Sequence, residues 1–198
     1  GNNSTFTTYV VSSSGSDIYS SLAAAVASLK GPLHGAANKK VMDMMTDIKE
    51  NVSQWENVDE IKEYLTKLVK KEAGDKSGKL YGLGHAVYTK SDPRAIAIKS
   101  IAKRIADQNN RSKEYNLYNL IAEVGPSVFQ NVKGSQKVIS PNVDFYSGFV
   151  YDCLNIPKEI FTPIFAMARA TGWCAHRIED MLSGKRIIRP GYKYVDPK

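Results

Sequence analysis

The chain has 198 residues, of which 42% are hydrophobic and 24% are charged, a composition typical of a folded protein and not of a disordered one. No apolar run approaches the length of a membrane span, and the polar first residues differ from a signal peptide, so we predict a soluble protein. The net charge of +7 favours anionic partners, but the lysines are scattered and no DNA- or RNA-binding motif accompanies them.

The sequence pattern predicts a chain that is nearly all helix, with one short extended stretch at residues 5–11. The first helix is predicted at Asp17–Leu29, with Ser16 as its N-terminal cap and Gly31-Pro32 as its stop. Its residues are apolar almost all round, a pattern typical of a helix buried inside a domain or between subunits.

Two further helices and a loop follow. The second helix is predicted at Ala37–Lys49. The third begins near Asn57, where Asn57 and Glu60 are expected to form a capping pair. The polar stretch Gly74–Gly78 is predicted to be a loop.

The middle of the chain contains a strong helix start and a predicted interruption. Asp92-Pro93 predicts a helix that is capped by the aspartate and has proline in its first turn. Its predicted core face consists of Ile98, Ile101, Ala102 and Ile105. A helix at Tyr115–Val124 is predicted to be interrupted by Gly125-Pro126, and Gln130–Ser140 is predicted to be a polar connector.

The last part of the chain is predicted to hold two helices and an irregular basic tail, over residues 141–155, 158–183 and 186–198. Pro163 and Gly172 are predicted to interrupt the second of these helices, and Gly184 to cap it.

The two cysteines and three histidines limit the chemistry. Cys153 and Cys174 lack CxxC spacing, which favours a reduced protein of the cytoplasm over one with a single disulfide. The histidines lack the helical HxxxH spacing of a zinc site, so no metal is predicted.

Three segments rich in glycine and proline each carry one side chain that can handle a proton. They are PLHGAAN with His34, GLGHAVYTKSDPRA with His85, and PNVDFYSG with Asp144. Two imidazoles and a carboxylate are the groups needed to remove a proton beside a carbonyl and to stabilise the enol that forms. Taken alone, each residue also has a structural interpretation, as a loop histidine bonded to a local carbonyl or as an acid favoured at a helix N-terminus.

Three arginines are candidate ligands for anions. Arg94 lies in the first turn of a predicted helix, where a cation opposes the helix dipole and needs a compensating anion. Arg169 lies in the apolar stretch FAMARATGW, so we expect it to be paired or to face a ligand if it is buried. Arg189 lies in RIIRPGY, where a solvated tail residue is an equally good interpretation.

Together with NNSTFTTYVVSSSGSDIYSSLAAAVASLKGPLHGAAN, FTPIFAMARATGWCAHRIE and RIIRPGYKYV, these segments resemble the citrate synthase family over essentially the whole chain. Several long motifs in the same order make the resemblance specific. It implies an all-α fold in which a helical small domain is flanked by helices of a large domain. It also implies condensation of acetyl-CoA with oxaloacetate and water to give citrate and CoA, with the CoA thioester as co-substrate and no permanently bound cofactor.

The resemblance implies a role for each candidate residue. By this likeness Asp144 removes a proton from the acetyl methyl group, His34 stabilises the enol oxygen, and His85 hydrogen-bonds the oxaloacetate carbonyl. Arg94 and Arg169 would bind substrate carboxylates. Arg189 would do so in the partner subunit's site.

The resemblance also places the CoA contacts. The segment expected to contact the adenine through its backbone is Tyr81, Gly82, Leu83 and Gly84. Thr89 stands where some members have a basic residue near the CoA phosphates, and Lys90 is expected to substitute for it. Gly191 stands where many members have an arginine, a difference expected to change the tail only locally.

A subunit of this family is about twice as long as the chain, so the resemblance implies a C-terminal portion of one. The implied boundaries are a large-domain strip at 1–34, which includes a dimer-interface helix, the small domain at 35–155, and a large-domain helix and tail at 156–198. We expect this portion to be inactive or nearly so. We also expect a homodimer, or self-association through apolar faces of Asp17–Leu29 and Lys158–Ser183.

Other functions remain open. A 2-methylcitrate synthase would use propionyl-CoA, and the motifs do not separate the two substrates, because one methylene changes transition-state binding by only about 1–3 kcal/mol. A non-catalytic helical module that binds CoA or another anion is a third interpretation. Binding of nucleic acid rests on charge alone and is the least favoured, and no membrane partner is expected.

Overall fold

The computed structural model describes residues 2–88, 90–134, 138–184 and 186–194. Its helices are α1 (Asn3–Ser13), α2 (Ile18–Lys30), α3 (Ala37–Asn51), α4 (Val58–Val69), α5 (Pro93–Gln108), α6 (Ser112–Lys133), α7 (Val143–Cys153) and α8 (Phe161–Leu182), with a 3₁₀ turn at Lys158–Ile160. Within the described residues there is no β-strand, only an isolated bridge between Leu83 and Pro141, so the all-α prediction is confirmed.

The chain divides into two compact units. The terminal unit consists of Gly1–Gly35 together with Thr162–Lys198, and the central unit consists of Ala36–Phe161. The terminal unit therefore holds α1, α2 and nearly all of α8, and the central unit holds α3 to α7.

Helix α1 occupies the stretch for which the sequence predicts extended backbone, so that prediction is wrong. Threonine and valine favour strands, but the side chain of Asn2 caps a helix here by accepting the N–H of Thr5 at 2.9 Å. The buried residues of α1 have small hydroxyl side chains, which let α1 pack closely against α2: Ser4, Thr5, Thr8 and Ser12.

The sequence predicts Ser16 as the cap of helix α2, but the cap is Asp17, so that prediction is wrong. The carboxylate of Asp17 accepts the N–H of Ser20 at 2.9 Å, and the helix ends before Gly31 as expected. The core of the terminal unit is formed by α2 and α8 through Ala25, Leu29 and Trp173.

The core of the central unit is aromatic where α6 meets α7. The ring of Tyr118 lies 5.4 Å from that of Phe145 and 5.0 Å from that of Phe149, measured between centroids. All three side chains are fully buried. Because Phe145 directly follows Asp144, this cluster anchors the end of α7 that carries the predicted base.

Helix α6 runs without a break through Gly125-Pro126 and includes Gln130–Lys133, so the predicted interruption and the start of the predicted connector are wrong. A proline inside a helix removes one hydrogen bond and costs about 3 kcal/mol in isolation, but tertiary packing of a long helix can offset that cost. Gly125 has a packing role, because a Cβ there would lie 2.7 Å from a methyl group of Leu83.

Helix α8 is likewise continuous, against the prediction of two interruptions. Pro163 falls in its first turn, where a backbone N–H has no partner within the helix and its loss costs nothing. Gly172 lies beside Arg169, and a Cβ there would come within 3.0 Å of the guanidinium. Both residues therefore fit a helix that local propensity alone would break.

Two smaller predictions need correction. Asn57 caps α4 as expected, but the side chain of Glu60 accepts the backbone N–H groups of residues 53 and 54 instead of that of Asn57. Helix α5 begins after Asp92 as predicted, yet Ile101 is 41% exposed and does not belong to the core face.

Some further properties bear on the chemistry. None of the described helices is both long enough and apolar enough to cross a membrane. Cys153 and Cys174 are free thiols, the first buried and the second half-buried. The part of the chain that the structure describes holds no group of three or more His, Cys, Asp or Glu side chains suited to a metal ion.

Candidate active site

The predicted site residues fall into two groups. His85, Arg94 and Asp144 lie in the central unit, whereas His34, Arg169 and Arg189 lie in the terminal unit.

In the central unit, the segment at Gly82–Gly84 lies along the segment that leads into α7. The N–H of Gly84 donates to the carbonyl of Ser140 at 2.7 Å, and the N–H of Asn142 donates to the carbonyl of Gly82 at 2.8 Å. The side-chain amide of Asn142 adds a bond of 2.8 Å to the carbonyl of Gly84. These bonds bring the His85 loop to the start of α7.

The tautomer of His85 is set by two backbone donors. The N–H groups of Val87 and Tyr88 lie 3.0 and 3.3 Å from Nδ1, so Nδ1 accepts hydrogen bonds and the neutral ring carries its proton on Nε2. Burial lowers the pKa of His85, and the charge of Arg94 lowers it further, while Asp92 opposes the shift. His85 is therefore a neutral donor at pH 7.

Arg94 presents a second set of donors beside His85. Its Nη2 lies 3.5 Å from His85 Nε2, and because both nitrogens carry hydrogens they can converge on one acceptor. The edge of the guanidinium formed by Nε and Nη2 is already occupied. These two nitrogens donate to the two oxygens of Asp92 at 3.0 and 2.8 Å. Arg94 is 43% exposed, so the edge away from Asp92 is open to an anionic ligand.

Asp144 occupies the first turn of α7, which begins at Val143 with Asn142 as its cap and not at Pro141 as predicted. Asn142 accepts the N–H of Asp144 at 3.0 Å. Burial raises the pKa of Asp144 to about 6, with Arg94 opposing the rise and Asp92 adding to it. At pH 7 the carboxylate is mostly ionised, yet it is a stronger base than an ordinary aspartate.

In the terminal unit, His34 is held by the first turn of α1. The N–H of Ser4 donates to Nε2 of His34 at 3.3 Å, and the Ser4 hydroxyl lies 2.8 Å from the same nitrogen. A backbone N–H can only donate, so Nε2 is the acceptor and the neutral ring carries its proton on Nδ1. Burial lowers the pKa of His34, which keeps the ring neutral at pH 7.

The two arginines of the terminal unit differ in their surroundings. Arg169 donates from Nη2 to the hydroxyl of Thr5 at 3.1 Å, while its buried Nε has no hydrogen-bond partner among the described residues. Arg189 is exposed in the tail, which is tied to α1 by a 3.0 Å bond from the N–H of Ile188 to the Ser13 hydroxyl. Within the described residues, Arg169 thus has a buried donor without a partner, whereas Arg189 is open to solvent.

The predicted CoA segment is anchored through Tyr81. Its hydroxyl donates to Asp75 at 2.5 Å and lies 3.2 Å from the Ser77 hydroxyl, so it faces the Gly74–Gly78 loop. Lys40 lies 3.6 Å from the same carboxylate of Asp75.

The sequence also singles out Thr89 and Lys90 near the predicted CoA contacts and Gly191 in the tail. Lys90 is exposed. Thr89 lies outside the described residues. Gly191 has open space around it, since a Cβ there would meet nothing within 4 Å.

A cavity of about 410 Å³ lies beside this site in the central unit. It is lined by Asp92, which caps α5, and by residues of α5, α6 and α7 that include Lys99 and Tyr146. None of the three predicted catalytic residues lines it. The carboxylate that pairs with Arg94 thus also lines the cavity.

Sequence reasoning missed three residues that organise the site. Ser4 was not predicted, because its contact is with His34, thirty positions along the chain. The cap at Asn142 was not predicted, and Asp92 was predicted only as the cap of a helix. The roles of all three depend on contacts with residues distant in sequence.

Comparison with known proteins identifies the family. Residues 1–191 match the family model described as "Citrate synthase, C-terminal domain". The chain is 42% identical over 197 residues to citrate synthase 2 of Bacillus subtilis, covering 99% of this chain and 47% of that protein. It is 37% identical over 194 residues to a 2-methylcitrate synthase of Shewanella oneidensis, covering 98% and 46%.

A solved structure gives the same result. The citrate synthase of Thermoplasma acidophilum, solved in a ternary complex with carboxymethyl coenzyme A and oxaloacetate, superimposes with a TM-score of 0.78 at 34% identity. The match covers 100% of this chain and 49% of that one, and the chain spans about half the length of the relatives it matches. The chain belongs to the citrate synthase family.

Proposed function

We propose that this chain carries catalytic residues of a citrate synthase, which condenses acetyl-CoA with oxaloacetate and water to give citrate and CoA. The observation that carries the proposal is the convergence of His85, Arg94 and Asp144 in the central unit, with the protonation of each group suited to the reaction. A neutral His34 with its proton on Nδ1 supplies the matching donor in the terminal unit.

Asp144 is the proposed base. Its carboxylate removes a proton from the methyl group of the acetyl thioester, and the carbon–hydrogen electron pair moves to form the enol. The raised pKa of about 6 makes the carboxylate more basic while leaving most of it ionised at pH 7. Burial is the main cause of that shift.

His34 is the proposed donor to the enol oxygen. Because Nε2 accepts hydrogen bonds from Ser4, the proton of the neutral ring is on Nδ1, the nitrogen proposed to donate to the enol oxygen. A neutral imidazole whose hydrogen-bond direction is preset stabilises developing negative charge without needing to reorganise during the reaction.

His85 and Arg94 are the proposed oxaloacetate ligands of the central unit. The Nε2–H of His85 polarises the ketone carbonyl, and the open edge of Arg94 binds a neighbouring carboxylate. The enol carbon then attacks the polarised carbonyl, and hydrolysis of the resulting thioester releases citrate and CoA. Arg169 and Arg189 are proposed to bind further carboxylates, Arg189 in the partner subunit's site.

CoA is proposed to lie along Tyr81–Gly84 and Lys90. Because the hydroxyl of Tyr81 is engaged by Asp75, this segment is expected to contact the adenine through its backbone. We propose that residues 35–155 form the small domain and that residues 1–34 and 156–198 belong to the large domain.

The experiment is to follow loss of thioester absorbance from acetyl-CoA in the presence of oxaloacetate. The chain is compared with a version extended at its N-terminus to the length of its relatives. We expect activity in the extended version only, because the chain spans about half the length of those proteins. Asp144→Asn should lower the rate by at least ~10²-fold, the usual contribution of a general base.

Activity of the chain alone would contradict the expectation that the further half is needed. Full activity of the Asp144→Asn variant would contradict the assigned base. A direct absorbance assay avoids thiol reagents, which would react with Cys174, a free and half-buried thiol.

A 2-methylcitrate synthase is the second candidate, favoured by the 37% identity to such an enzyme from Shewanella oneidensis. Comparing kcat/KM for propionyl-CoA and acetyl-CoA in the extended version decides between the two. A ratio above one for propionyl-CoA would replace the first proposal with the second.

We further propose a cytoplasmic homodimer. Tyr19 and Val26 on α2 and Met167 on α8 are exposed apolar side chains of the terminal unit, and such surfaces favour association. Sedimentation of the extended version should show a dimer, and a monomer at high concentration would contradict this assembly.

A further inference from the structure

The carboxylate of Asp92 makes more contacts than a helix cap requires. It is 1% exposed and accepts four hydrogen bonds. Three come from Arg94, through its backbone N–H at 3.0 Å, Nε at 3.0 Å and Nη2 at 2.8 Å. The fourth comes from the backbone N–H of Val143 at 3.2 Å.

A capping aspartate usually needs only one oxygen, which accepts a backbone N–H of the first turn. The Oδ1 atom of Asp92 does this for α5 and also holds Nε of Arg94. The Oδ2 atom binds Nη2 of Arg94 and the N–H of Val143, which is the residue before Asp144. One carboxylate thus connects the arginine of the site to the helix that carries the base.

Burial of this charge demands such compensation. A buried carboxylate is costly unless it is paired and hydrogen-bonded. Burial alone would raise the pKa of Asp92, but the bonds from Arg94 and Val143 outweigh it and keep the pKa below the ordinary value. The carboxylate is therefore ionised, and it is present as a counter-charge to Arg94 across the working pH range.

We propose that Asp92 is the positioning residue of this site. Asp92 holds one edge of the Arg94 guanidinium so that the other edge faces His85, and it keeps Arg94 from pairing with Asp144. The proposal rests on the proposed function only for what the site does, because the contacts themselves involve no substrate. Without Asp92, the guanidinium would have Asp144 as its nearest carboxylate partner within this group, and a direct ion pair would weaken the base.

The test uses Asp92→Asn in the 198-residue chain. Asparagine caps helices as well as aspartate does, so α5 should still form while the charge is lost. Asp17→Asn is the control, because the carboxylate of Asp17 also caps a helix, accepting the backbone N–H and the hydroxyl of Ser20, but it lies in the terminal unit. Two NMR readouts are used: hydrogen exchange of Arg94 Nε–H, and the pH titration of the Asp144 carboxyl carbon.

In Asp92→Asn we expect the Nε–H of Arg94 to exchange at least ~10-fold faster, since a charge-assisted hydrogen bond is replaced by a neutral one. The midpoint of Asp144 should fall below its value of about 6, because Asp92 no longer repels the carboxylate and Arg94 is free to pair with it. Asp17→Asn should change neither readout.

Unchanged exchange and an unchanged midpoint in a folded Asp92→Asn variant would overturn the proposal. Asp92→Ser is made in parallel, because serine also caps helices and introduces no amide hydrogens beside Arg94. If both variants unfold, Asp92 is a residue of the fold and the proposal is likewise overturned.

Neither readout requires substrate or turnover. Failure of the proposed function would appear separately, as absence of citrate formation by the extended wild-type protein.

Discussion

The terminal and central units each hold one histidine whose protonation is set by backbone N–H donors, but they use different structures to do so. His34 is bound through Nε2 by the first turn of a helix, in which N–H groups are available because they have no partner within the helix. His85 is bound through Nδ1 by N–H groups of its own loop, two and three residues further along the chain. The ring proton is therefore on Nδ1 in one unit and on Nε2 in the other.

The glycines beside the two histidines show the same contrast. Gly35 is required by space, because a Cβ there would lie 1.9 Å from the carbonyl oxygen of Leu29. Gly84 is required by conformation, because its φ of +89° lies in the region that other residues rarely adopt. In the terminal unit a contact with the end of α2 restricts the histidine segment, whereas in the central unit the backbone conformation of the loop does so.

The largest effect is expected from Gly35→Ala. Because backbone atoms of α2 would have to move, we expect a loss of about 3 kcal/mol or more in the free energy of unfolding. Gly191→Ala is the control, since a Cβ there meets nothing within 4 Å. Urea unfolding followed by circular dichroism measures both. If Gly35→Ala lowered the free energy of unfolding by less than Gly84→Ala, the variant described below, the contact with Leu29 would be one that relaxes easily.

Asp144→Asn should stabilise the chain at pH 7, in contrast to most changes at buried sites. The folded pKa of about 6 lies above the ordinary value of 3.8, so the folded chain binds the proton more tightly than the unfolded one. Stability therefore rises as pH falls from about 7 towards 4. Removing the charge should add about 2–3 kcal/mol at pH 7 and little at pH 4.

Asp75→Asn is the opposing control in the same unit. Hydrogen bonds from Tyr81 and Ser77 outweigh the effect of burial and lower the pKa of Asp75 to about 2, so its charge stabilises the folded state above pH 4. The carboxylate is 39% exposed, and solvent screening reduces the expected loss to about 1 kcal/mol at pH 7. Urea midpoints at pH 4 and pH 7 measure both variants. A loss of stability for Asp144→Asn at pH 7 would contradict the raised pKa.

A smaller effect is expected from Gly84→Ala, which forces an alanine into a left-handed conformation. The cost should be about 1–2 kcal/mol. The nearest side-chain atom is a methyl group of Ile139 at 3.3 Å from the added Cβ, a contact that a flexible side chain can relieve. Urea unfolding of the two glycine variants, side by side, measures the difference between a spatial and a conformational requirement.

The smallest effect is expected from Ser4→Ala, which tests which donor sets the tautomer of His34. The substitution removes the hydroxyl at 2.8 Å from His34 Nε2 but keeps the backbone N–H at 3.3 Å. We therefore expect His34 to keep its proton on Nδ1 while His85 keeps its proton on Nε2. Long-range ¹H–¹⁵N spectra of the imidazoles distinguish the two forms. A proton on His34 Nε2 in the variant would show that the hydroxyl, not the amide, sets the tautomer.

Several features followed from the sequence because their causes are local. The start of α5 at Asp92-Pro93, the cap of α4 at Asn57 and the loop at Gly74–Gly78 were predicted from side chains within a few residues. The motifs containing His34, His85 and Asp144 also indicated the family, which the comparisons confirm. Residue types suited to acid–base chemistry can be seen in a sequence without knowledge of their surroundings.

Other features were decided by tertiary structure because their causes are distant. Helix α1 forms despite its threonines and valines because its small hydroxyl face packs against α2, and α6 continues through Pro126 because both of its ends are held in the core. The tautomer of His34 depends on Ser4, thirty positions earlier, and the pKa of Asp144 depends on burial and on charges from α5. The sequence by itself determined which groups are present and where helices begin. The packing of segments far apart in the chain decided how each group is protonated and which way it donates.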